Sequence, residues 1–587
     1  MPLDEDYARA REAQQAIIQS PDSVIVRACP GAGKTRVLVE RSLRILTNQP
    51  KRRGVAILSF SNSAVDEITS RFGQRLPPFP SFVGTFDSFL WRFLIAPFGA
   101  ESDHVKPRLI PDLGNLGISP TNGVPGAPRM REYPMRMFDP ETGQIRNDLV
   151  GEDIRIAQQI PAGGRYQARA RGDWRRAKQN GLLDHEAARK LALLRVSDEA
   201  RQPILDALAH RFAEVLVDEA QDCNPADLQV VQALRGQGVR VSVIGDFDQA
   251  IYGFRHGAPP ELDAFAAHYP AENRHALNAN FRSVEGIARA AVCFRRGRGR
   301  VADTSLVDAA VVGGVHIIPY RPRYRAVSGT IVEDLRAVLD EYGISPSDVP
   351  IVAHREKHAR RAAGLRPLGA ATNSFTVQLA NTVAAYHAGK GQWRTQVEAL
   401  KDTTALVFRY WGMIPEGQSF HQVLSENDVT AEDYRREAMS LAEELKPDLR
   451  DSEQPRNWVE RCKEILDRRF PDGNRALVRM PSEGSVSALT DALSIAGETQ
   501  HPISTVHQVK GQEFQAICIV IPPSDVVDLM ERLENNQIDE PERVLYVGMT
   551  RAKRVCVFAL PDAVAARFRA LLGGAGAPTQ IFEREVQ

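Results

Sequence analysis

The amino-acid sequence predicts an α/β protein that contains two parallel sheets, each interrupted by a mainly helical insertion. Short strand-like runs at 23–28 and 55–59 each precede a segment whose apolar residues recur at helical spacing. Such alternation of strand and helix is typical of a parallel sheet. Two further strand-like runs, at 213–217 and 240–244, come after a stretch that is first rich in Pro and Gly and then rich in Arg, which we interpret as an insertion over residues 91–195.

A second α/β region follows the same plan in the rest of the chain. Apolar runs at 314–318 and 349–352 precede a helical, acidic stretch, after which strand-like runs return at 517–521 and 555–558. The sequence therefore predicts two sheet domains with two insertions. Their predicted bounds are residues 1–90 and 196–275 for the first domain, 91–195 for its insertion, 276–370 and 500–587 for the second domain, and 371–499 for a compact second insertion.

The composition fits a folded protein of several domains and disfavours a basic protein that coats nucleic acid. The 587 residues carry 74 lysines and arginines and 74 acidic residues, so the formal net charge is zero. A zero net charge still allows a local basic groove that contacts phosphates. The six cysteines are scattered singly, which disfavours a zinc site or a disulfide framework and predicts a cytoplasmic location. The polar first residues predict no signal peptide, and no apolar run predicts a membrane span.

The strongest local motif is Ala28-Cys-Pro-Gly-Ala-Gly-Lys-Thr35, placed between a predicted strand and a predicted helix. Glycines let backbone N–H groups approach phosphates, Lys34 supplies a positive charge to the β- and γ-phosphates, and the Thr35 hydroxyl can ligate Mg²⁺. Ala28 departs from the general pattern, which begins with glycine. The sequence therefore predicts a P-loop, with the candidate nucleotide-binding residues Gly31, Ala32, Gly33, Lys34, Thr35 and Arg36.

Two adjacent carboxylates end the third strand-like run, at the sheet edge where ligands of parallel sheets bind. We predict that Asp218 holds Mg²⁺ and that Glu219 orients the attacking water. The next strand-like run leads to Gln249, which can sense a γ-phosphate. Tyr252 and Phe254 follow, and two interpretations stay open for these rings: exposed stacking surfaces for a nucleobase, or core residues.

In this order, the motifs resemble the UvrD/PcrA/Rep group of superfamily 1 helicases, and further signatures of that group extend from position 14 to position 552. The resemblance implies two RecA-like P-loop domains and assigns roles around ATP. Gln14 is similar to the glutamine that reads adenine, and Phe281 to the aromatic residue that stacks on the base. By the same resemblance, Arg282 reaches the γ-phosphate, Glu513 binds the ribose, and Arg551 acts as the arginine finger.

The same resemblance places two segments against single-stranded DNA, residues 60–64 and 84–89. The candidate DNA-binding residues are Asn62, Thr85, Phe86, Tyr252, Phe254 and His507. Asp87 departs from the group, because larger relatives usually carry histidine there. A run of cations and aromatic residues at 165–178 is open to two interpretations, a DNA contact or a solvated helix.

The resemblance implies an ATP-dependent translocase or helicase that moves 3′ to 5′, with ATP and Mg²⁺ as cofactors and single-stranded or 3′-tailed DNA as substrate. An RNA helicase is a weaker alternative, because no motif selects a 2′-hydroxyl. Another class of function is a regulatory DNA-sensing ATPase subunit of a nuclease complex. The pattern Ala96-Pro-Phe-Gly99 and the small second insertion are similar to the helicase-like subunit of the Gabija anti-phage system, whose partner is an OLD-type nuclease with a TOPRIM domain.

Overall fold

The computed structural model divides the chain into two compact units. The first unit contains Met1–Leu109, His185–Gly364 and His501–Gln587, and the second contains Ile110–Asp184 and Leu365–Gln500. The structure describes residues 2–48, 53–98, 105–110, 113–121, 130–149, 152–197, 202–251, 259–297, 302–322, 327, 331–364, 374–388, 393–412, 430–446, 455–482, 486, 489–490, 492–493 and 501–583.

The first sheet has six strands in the described residues, and all of its pairings are parallel. In chain order the strands are β1 (Ile25–Ala28), β2 (Gly54–Ser59), β3 (Phe82–Thr85), β4 (Phe212–Val217), β5 (Val241–Gly245) and β6 (Arg274–Leu277). Their order across the sheet is β6-β1-β5-β4-β2-β3. Strands β2, β4 and β5 are buried along their whole length, which explains their continuous apolar sequences.

The second sheet of the first unit also has six described strands, again with parallel pairing. They are β7 (Gly314–Tyr320), β8 (Ile351–Ala353), β9 (Ile503–Thr505), β10 (Phe514–Val520), β11 (Ala552–Pro561) and β12 (Thr579–Ile581). Their order across the sheet is β9-β8-β10-β11-β7-β12. The predicted α/β class with two parallel sheets is therefore confirmed.

Helices alternate with the strands of both sheets. Those that accompany the first sheet are Pro2–Gln19, Lys34–Thr47, Asn62–Phe72, Phe86–Phe89, His185–Ser197, Gln202–Arg211, Pro225–Gly236 and Pro259–Ala266. Those that accompany the second sheet are Glu285–Ala290, Ile331–Glu341, Glu356–Ala362, Val526–Glu534, Glu540–Met549 and Asp562–Gly574. Several starts follow from capping residues, such as Ser61, which accepts a hydrogen bond from the Ala64 N–H. No helix in the described ranges is long and apolar enough to cross a membrane.

The first unit extends further along the chain than the predicted first domain. The sequence predicts that residues 91–195 belong to the insertion, whereas the described residues 91–98, 105–109 and 185–195 fall in the compact unit that contains both sheets. The Phe93 ring centre lies 5.3 Å from the ring centres of both Phe82 and Phe212. Aromatic packing against β3 and β4 therefore holds this segment on the sheet, an interaction that its Pro and Gly content does not reveal.

The second unit is mainly helical and contains separate hydrophobic clusters. One cluster includes Tyr166 and Trp174, and another includes Phe375 and Trp458. Because Tyr166 and Trp174 are the aromatic residues of the basic run at 165–178, burial favours a solvated helix over a DNA contact through these rings. The described helices are Glu152–Ala157, Arg165–Gln179, Phe375–Ala388, Trp393–Tyr410, Ala431–Glu444 and Pro455–Arg469.

A buried ion pair joins the helix after β1 to the centre of the first sheet. Arg41 and Glu214 are fully buried, and the guanidinium donates to the two carboxylate oxygens at 2.9 and 3.1 Å. The remaining N–H groups of Arg41 donate to the backbone carbonyls of Ile17, Ser20 and Asp22. Every donor of the guanidinium therefore has an acceptor, which offsets the cost of burying the charge.

We predict that Arg41→Ala destabilises the protein by about 3–5 kcal/mol, because it leaves the Glu214 carboxylate buried without its cation. The double substitution Arg41→Met/Glu214→Leu removes both charges and should recover most of that loss. Urea unfolding followed by circular dichroism measures both effects. The exposed Arg569→Ala is the matched control, expected within about 0.5 kcal/mol of the wild type. Equal stabilities of Arg41→Ala and Arg569→Ala would contradict the assignment.

Candidate functional site

The predicted P-loop is a turn between β1 and the Lys34–Thr47 helix. Gly31 and Gly33 have φ angles of +72° and +77°, in the left-handed region that favours glycine. A Cβ at Gly31 would lie 2.5 Å from the Oδ1 atom of Asn280, so contact also excludes a side chain there. The turn ends at a helix N-terminus, where unpaired backbone N–H groups can bind an anion such as phosphate.

The two predicted catalytic carboxylates follow β4 at its carboxyl end. Glu219 has a φ of +52°, which is rare for a residue other than glycine, and Gln221 Nε2 donates to its carboxylate. The Glu219 Oε1 atom lies 3.9 Å from Lys34 Nζ. Asp218 is 2% exposed and its Oδ1 accepts from the Glu219 N–H at 2.9 Å. These contacts hold Glu219 beside the P-loop lysine.

The two carboxylates have opposite electrostatic environments. Burial and the neighbouring Glu219 raise the pKa of Asp218 above its ordinary value. Burial also acts to raise the pKa of Glu219, but Lys34 and Lys510 outweigh it and hold that pKa below the ordinary value. Glu219 is therefore ionised at neutral pH and able to accept a hydrogen bond from water. Asp218 is a buried carboxylate whose charge a cation would stabilise.

Side chains from beyond the first sheet meet its carboxyl edge. Arg551, which directly precedes β11, donates from Nη2 to Gln249 Oε1 at 3.1 Å. Arg282 donates from Nε to Glu513 Oε1 at 2.8 Å. Burial lowers the pKa of Arg551 to about 10, so this guanidinium stays cationic at neutral pH. Two arginines are thus held in place by a neutral amide and by a carboxylate.

These groups line a cavity of about 420 Å³. The predicted site residues on its wall are Gln14, Gly31, Ala32, Gly33, Lys34, Thr35, Arg36, Glu219, Gln249, Phe281, Arg282, Glu513 and Arg551. Asp218 is buried and does not line it. Residues that the sequence analysis missed also line it, namely Arg11, Glu67, Arg71, Gly511 and Lys553. Arg11 precedes Gln14 by one helical turn, and this spacing could have indicated that Arg11 also lines the cavity. No local sequence pattern marks Glu67 or Arg71 as cavity residues.

Phe281 and Gln14 give the cavity an aromatic ring and an amide. The Phe281 N–H donates to Gly31 O at 3.0 Å, and Gln14 Nε2 donates to Ala32 O at 2.9 Å. Both residues are thereby attached to the P-loop. The Arg11 guanidinium lies 5.6 Å from the centre of the Phe281 ring. Stacking on a ring and hydrogen bonding to an amide are the interactions that recognise a nucleobase, so this part of the wall fits the base of a nucleotide.

The oxygen donors beside the P-loop fit Mg²⁺. Thr35 offers a hydroxyl and Asp218 a buried carboxylate, and hard cations prefer oxygen ligands. Among the described residues, no group of three or more His, Cys, Asp or Glu side chains could hold a metal ion. Mg²⁺ itself needs few protein ligands, because it keeps several waters and shares the phosphates of its substrate.

The predicted DNA-binding residues lie in different environments. Asn62 is exposed at the start of its helix, and Thr85 Oγ1 accepts from the Ser88 N–H at 3.1 Å. Phe86 is 2% exposed, and its ring stacks on the half-buried Phe60 ring with 5.3 Å between centres. Apolar packing thus buries the Phe86 ring and leaves the Phe60 ring more accessible, and the contact of Phe86 with DNA stays a prediction.

His507 is half-buried and lies beside His354, with ring centres 5.6 Å apart. Burial, followed by the influence of His354, lowers the pKa of His507 to about 4. The ring is therefore neutral at neutral pH and can contact DNA without a positive charge. Tyr252 and Phe254 lie outside the described residues, so both interpretations of these rings stay predictions.

Asp87, which departs from the resembled group, belongs to an ion cluster. Its Oδ1 lies 2.6 Å from Arg189 Nη2, and its Oδ2 lies 3.2 Å from His185 Nδ1. Arg189 also pairs with Asp227 at 2.9 Å. Asp87, His185 and Arg189 line a second cavity, of about 560 Å³, together with Thr85. An imidazole is thus present beside this segment, but another helix supplies it.

Two domain families match the chain. The UvrD/REP helicase N-terminal domain matches residues 10–108 and 172–270, and the UvrD-like helicase C-terminal domain matches residues 398–560. Together these matches cover more than half of the chain. The first match contains the P-loop, Glu219 and Gln249, and the second contains Arg551.

The chain is also similar in sequence to individual proteins. YjcD of Bacillus subtilis (strain 168) is 22% identical over 93% of this chain and 78% of its own length. The ATP-dependent DNA helicase Rep of Escherichia coli (strain K12) is 26% identical over 47% of this chain and 42% of Rep. DNA helicase II of the same strain is 25% identical over 51% of this chain and 42% of its own length. The chain thus spans less than half the length of these two E. coli proteins. From the P-loop cavity and both matched domains, we conclude that the chain belongs to the UvrD-like family of ATP-dependent DNA helicases.

Proposed function

We propose that the chain is an ATP-dependent motor that moves along single-stranded DNA. The observation that carries this proposal is the composition of the 420 Å³ cavity. A P-loop and a carboxylate from the first sheet share its wall with Arg282 and Arg551, which come from the chain that leads into and forms the second sheet. A site assembled from two sheets changes as they move, so hydrolysis can be coupled to motion. Membership of the helicase family supports DNA as the polymer.

The first sheet supplies the groups that hold the triphosphate and activate water. Lys34 and the P-loop N–H groups bind the β- and γ-phosphates. Thr35 and Asp218 hold Mg²⁺, which supplies positive charge to the phosphates when it is bound. Glu219 is ionised and fixed by the hydrogen bond from Gln221. Its carboxylate orients the water that attacks the γ-phosphorus, while the bridging oxygen leaves with ADP.

The two arginines stabilise the negative charge of the γ-phosphoryl group during transfer. Gln249 holds Arg551 and Glu513 holds Arg282 through the hydrogen bonds at 3.1 and 2.8 Å. Because ATP needs the same guanidinium groups, its binding exchanges these partners. When Arg551 leaves Gln249 for the γ-phosphate, the segment after β5 loses a hydrogen bond. In the sequence, the predicted DNA-contacting residues Tyr252 and Phe254 follow shortly after Gln249.

A helix connects the nucleotide cavity to the predicted DNA surface. The Asn62–Phe72 helix has Asn62 exposed at its first turn, whereas Glu67 and Arg71 further along it line the cavity. A rigid helix transmits a shift at one end to the other. This connection supports coupling between hydrolysis and DNA contact, and the family resemblance supports movement from 3′ to 5′.

A second candidate is a regulatory DNA-sensing ATPase subunit of a nuclease complex. The sequence pattern at 96–99 favours it, and within that pattern Ala96–Phe98 forms a short 3-10 turn with Ala96 and Pro97 exposed. An exposed turn is accessible to a partner such as an OLD-type nuclease with a TOPRIM domain, which would connect the chain to anti-phage defence. The same ATP site serves both candidates, and they differ in whether the chain separates strands alone.

We predict that Glu219→Gln lowers the rate of ATP hydrolysis by about 10²–10⁴-fold, because the neutral amide cannot act as the base that orients water. Lys34→Ala should abolish turnover through weaker phosphate binding. Phosphate release is measured with and without single-stranded DNA, and a fluorescent ATP analogue reports binding. Glu219→Gln is expected to bind the analogue as the wild type does.

Glu186→Gln is the matched control for removing a carboxylate, because Glu186 is exposed on the His185–Ser197 helix, and wild-type turnover is expected. Glu186 pairs with Lys190 one turn along its helix and lines neither cavity. Wild-type turnover by Glu219→Gln would contradict the site assignment.

We also predict that the purified chain separates a 3′-tailed DNA duplex faster than a 5′-tailed one. Each base-pair step costs about 1.4 kcal/mol, which hydrolysis at this site must supply. Strand separation and phosphate release are followed in the same reaction, with Glu219→Gln as control. DNA-stimulated hydrolysis without separation of either duplex would favour the second candidate. Faster separation of the 5′-tailed duplex would contradict the proposed direction.

A further inference from the structure

The edge of the first sheet opposite the P-loop carries a cluster of arginines and a phenylalanine. In a parallel sheet the carboxyl ends of the strands share one edge and the amino ends share the other. Arg53 directly precedes β2, Arg211 directly precedes β4, and Phe79 lies just before β3. With Arg92, which follows β3 in the chain, these residues form what we name the amino-edge patch.

The guanidinium groups of this patch have no acidic partner in the part of the chain that the structure describes. The guanidinium groups of Arg92 and Arg211 lie 5.7 and 5.2 Å from the centre of the Phe93 ring. Neither forms an ion pair with a described residue. Arg53 donates from Nη2 to the Ala209 and Phe212 carbonyls, but within the described ranges the buried Nε–H groups of Arg53 and Arg211 meet no hydrogen-bond acceptor. Burial and the nearby Arg92 lower the pKa of Arg211, the direction expected when like charges share a site. An anion would relieve this repulsion.

Phe79 adds an accessible aromatic ring to these charges. Its side chain is 83% exposed, and the Arg211 guanidinium lies 5.1 Å from its ring centre. Such exposure leaves the ring free to stack on a partner, and covering it would remove apolar surface from water. An exposed ring beside arginines is the combination that binds single-stranded nucleic acid, in which a base stacks on the ring and phosphates pair with the guanidinium groups.

The amino-edge patch is also continuous with the segment predicted to contact DNA. Arg92 lines the cavity of about 560 Å³ whose wall includes Thr85 and Ser88. These two residues lie at the carboxyl end of β3, which is an edge strand of four residues. Such a strand is roughly 13 Å long. A nucleic-acid strand that passes Thr85 at the carboxyl end of β3 can therefore run alongside β3 to the patch at its amino end.

We infer that the amino-edge patch is a second contact site for single-stranded DNA, which holds the strand beyond the segment at 84–89. The inference rests on the proposed function for the identity of the polymer. It concerns an edge of the sheet that the nucleotide cavity does not use. An acidic protein surface would satisfy the charges, but the exposed Phe79 ring favours a strand with unstacked bases.

The test compares the binding of short and long strands to the full chain. Oligothymidylates of about 10 and about 30 nucleotides bracket the lengths that one strand-binding fold covers. Fluorescence anisotropy at several salt concentrations gives their affinities. We expect the wild type to bind the long strand more tightly. Arg92→Ala/Arg211→Ala should abolish that gain and reduce the log–log salt slope for the long strand by about 1.4, since each single-strand phosphate contact contributes about 0.7.

Two further variants separate the contributions. Phe79→Ala removes an exposed ring without disturbing the core, and it should reduce the gain for the long strand without changing the salt slope. Arg336→Ala/Arg569→Ala removes two exposed arginines from helices beside the second sheet and is the matched control. This control should bind both strands as the wild type does. Circular dichroism verifies that each variant is folded.

Wild-type affinity and salt slope for the long strand in Arg92→Ala/Arg211→Ala would overturn the inference and leave the proposed function intact. If the same variant instead lost binding to polyglutamate while strand binding stayed unchanged, the inference would be overturned in favour of an acidic protein partner. A wild type without DNA-stimulated hydrolysis would contradict the proposed function, and the length dependence of binding would still decide the inference.

Discussion

Buried polar groups from the two parallel sheets satisfy one another where the sheets meet, and the site depends on this pairing. Lys510 Nζ lies 2.5 Å from Asp222 Oδ1, and the Tyr546 hydroxyl donates to Asp246 Oδ2 at 3.1 Å. In both pairs, the first residue belongs to the second-sheet part of the chain and the carboxylate follows a strand of the first sheet. A buried charge without its partner is costly, so these contacts restrict how the sheets can dock. The same restriction brings Arg551 to the P-loop cavity.

The pairing continues from this boundary to the P-loop. Arg295 Nε donates to the Tyr546 hydroxyl at 3.1 Å, and Arg295 also pairs with Asp303. Burial and the Asp303 carboxylate in turn raise the pKa of the Cys29 thiol, which belongs to the P-loop motif. Burial raises the pKa of Asp246 to about 6, which shows how little solvent stabilises the charges of this network. A phosphate charge that arrives at the P-loop therefore alters interactions that both sheets share.

The sequence could predict two kinds of feature: local motifs such as the P-loop, and the alternation of strands and helices that repeats along the chain. The P-loop combines a strand, two glycines with positive φ and a helix start within a few residues, so its residues were predictable. The features that it could not predict depend on packing between distant segments. The buried Phe86 ring packs on Phe60, and the Phe93 ring packs against Phe212 from a later strand. Glu67 and Arg71 reach the cavity only through the position of their helix, which no motif marks.

We propose that residues from both sheets form one catalytic site. Single-turnover hydrolysis by Arg551→Ala, measured alongside the affinity for a fluorescent ATP analogue, tests it most directly. Arg551 is buried and donates to the neutral Gln249 amide, and Glu219 keeps Lys34 Nζ at 3.9 Å when Arg551 is removed. The account predicts that hydrolysis slows by a factor on the order of 10³–10⁵ while the analogue still binds. Hydrolysis by Arg551→Ala at the wild-type rate would contradict the account.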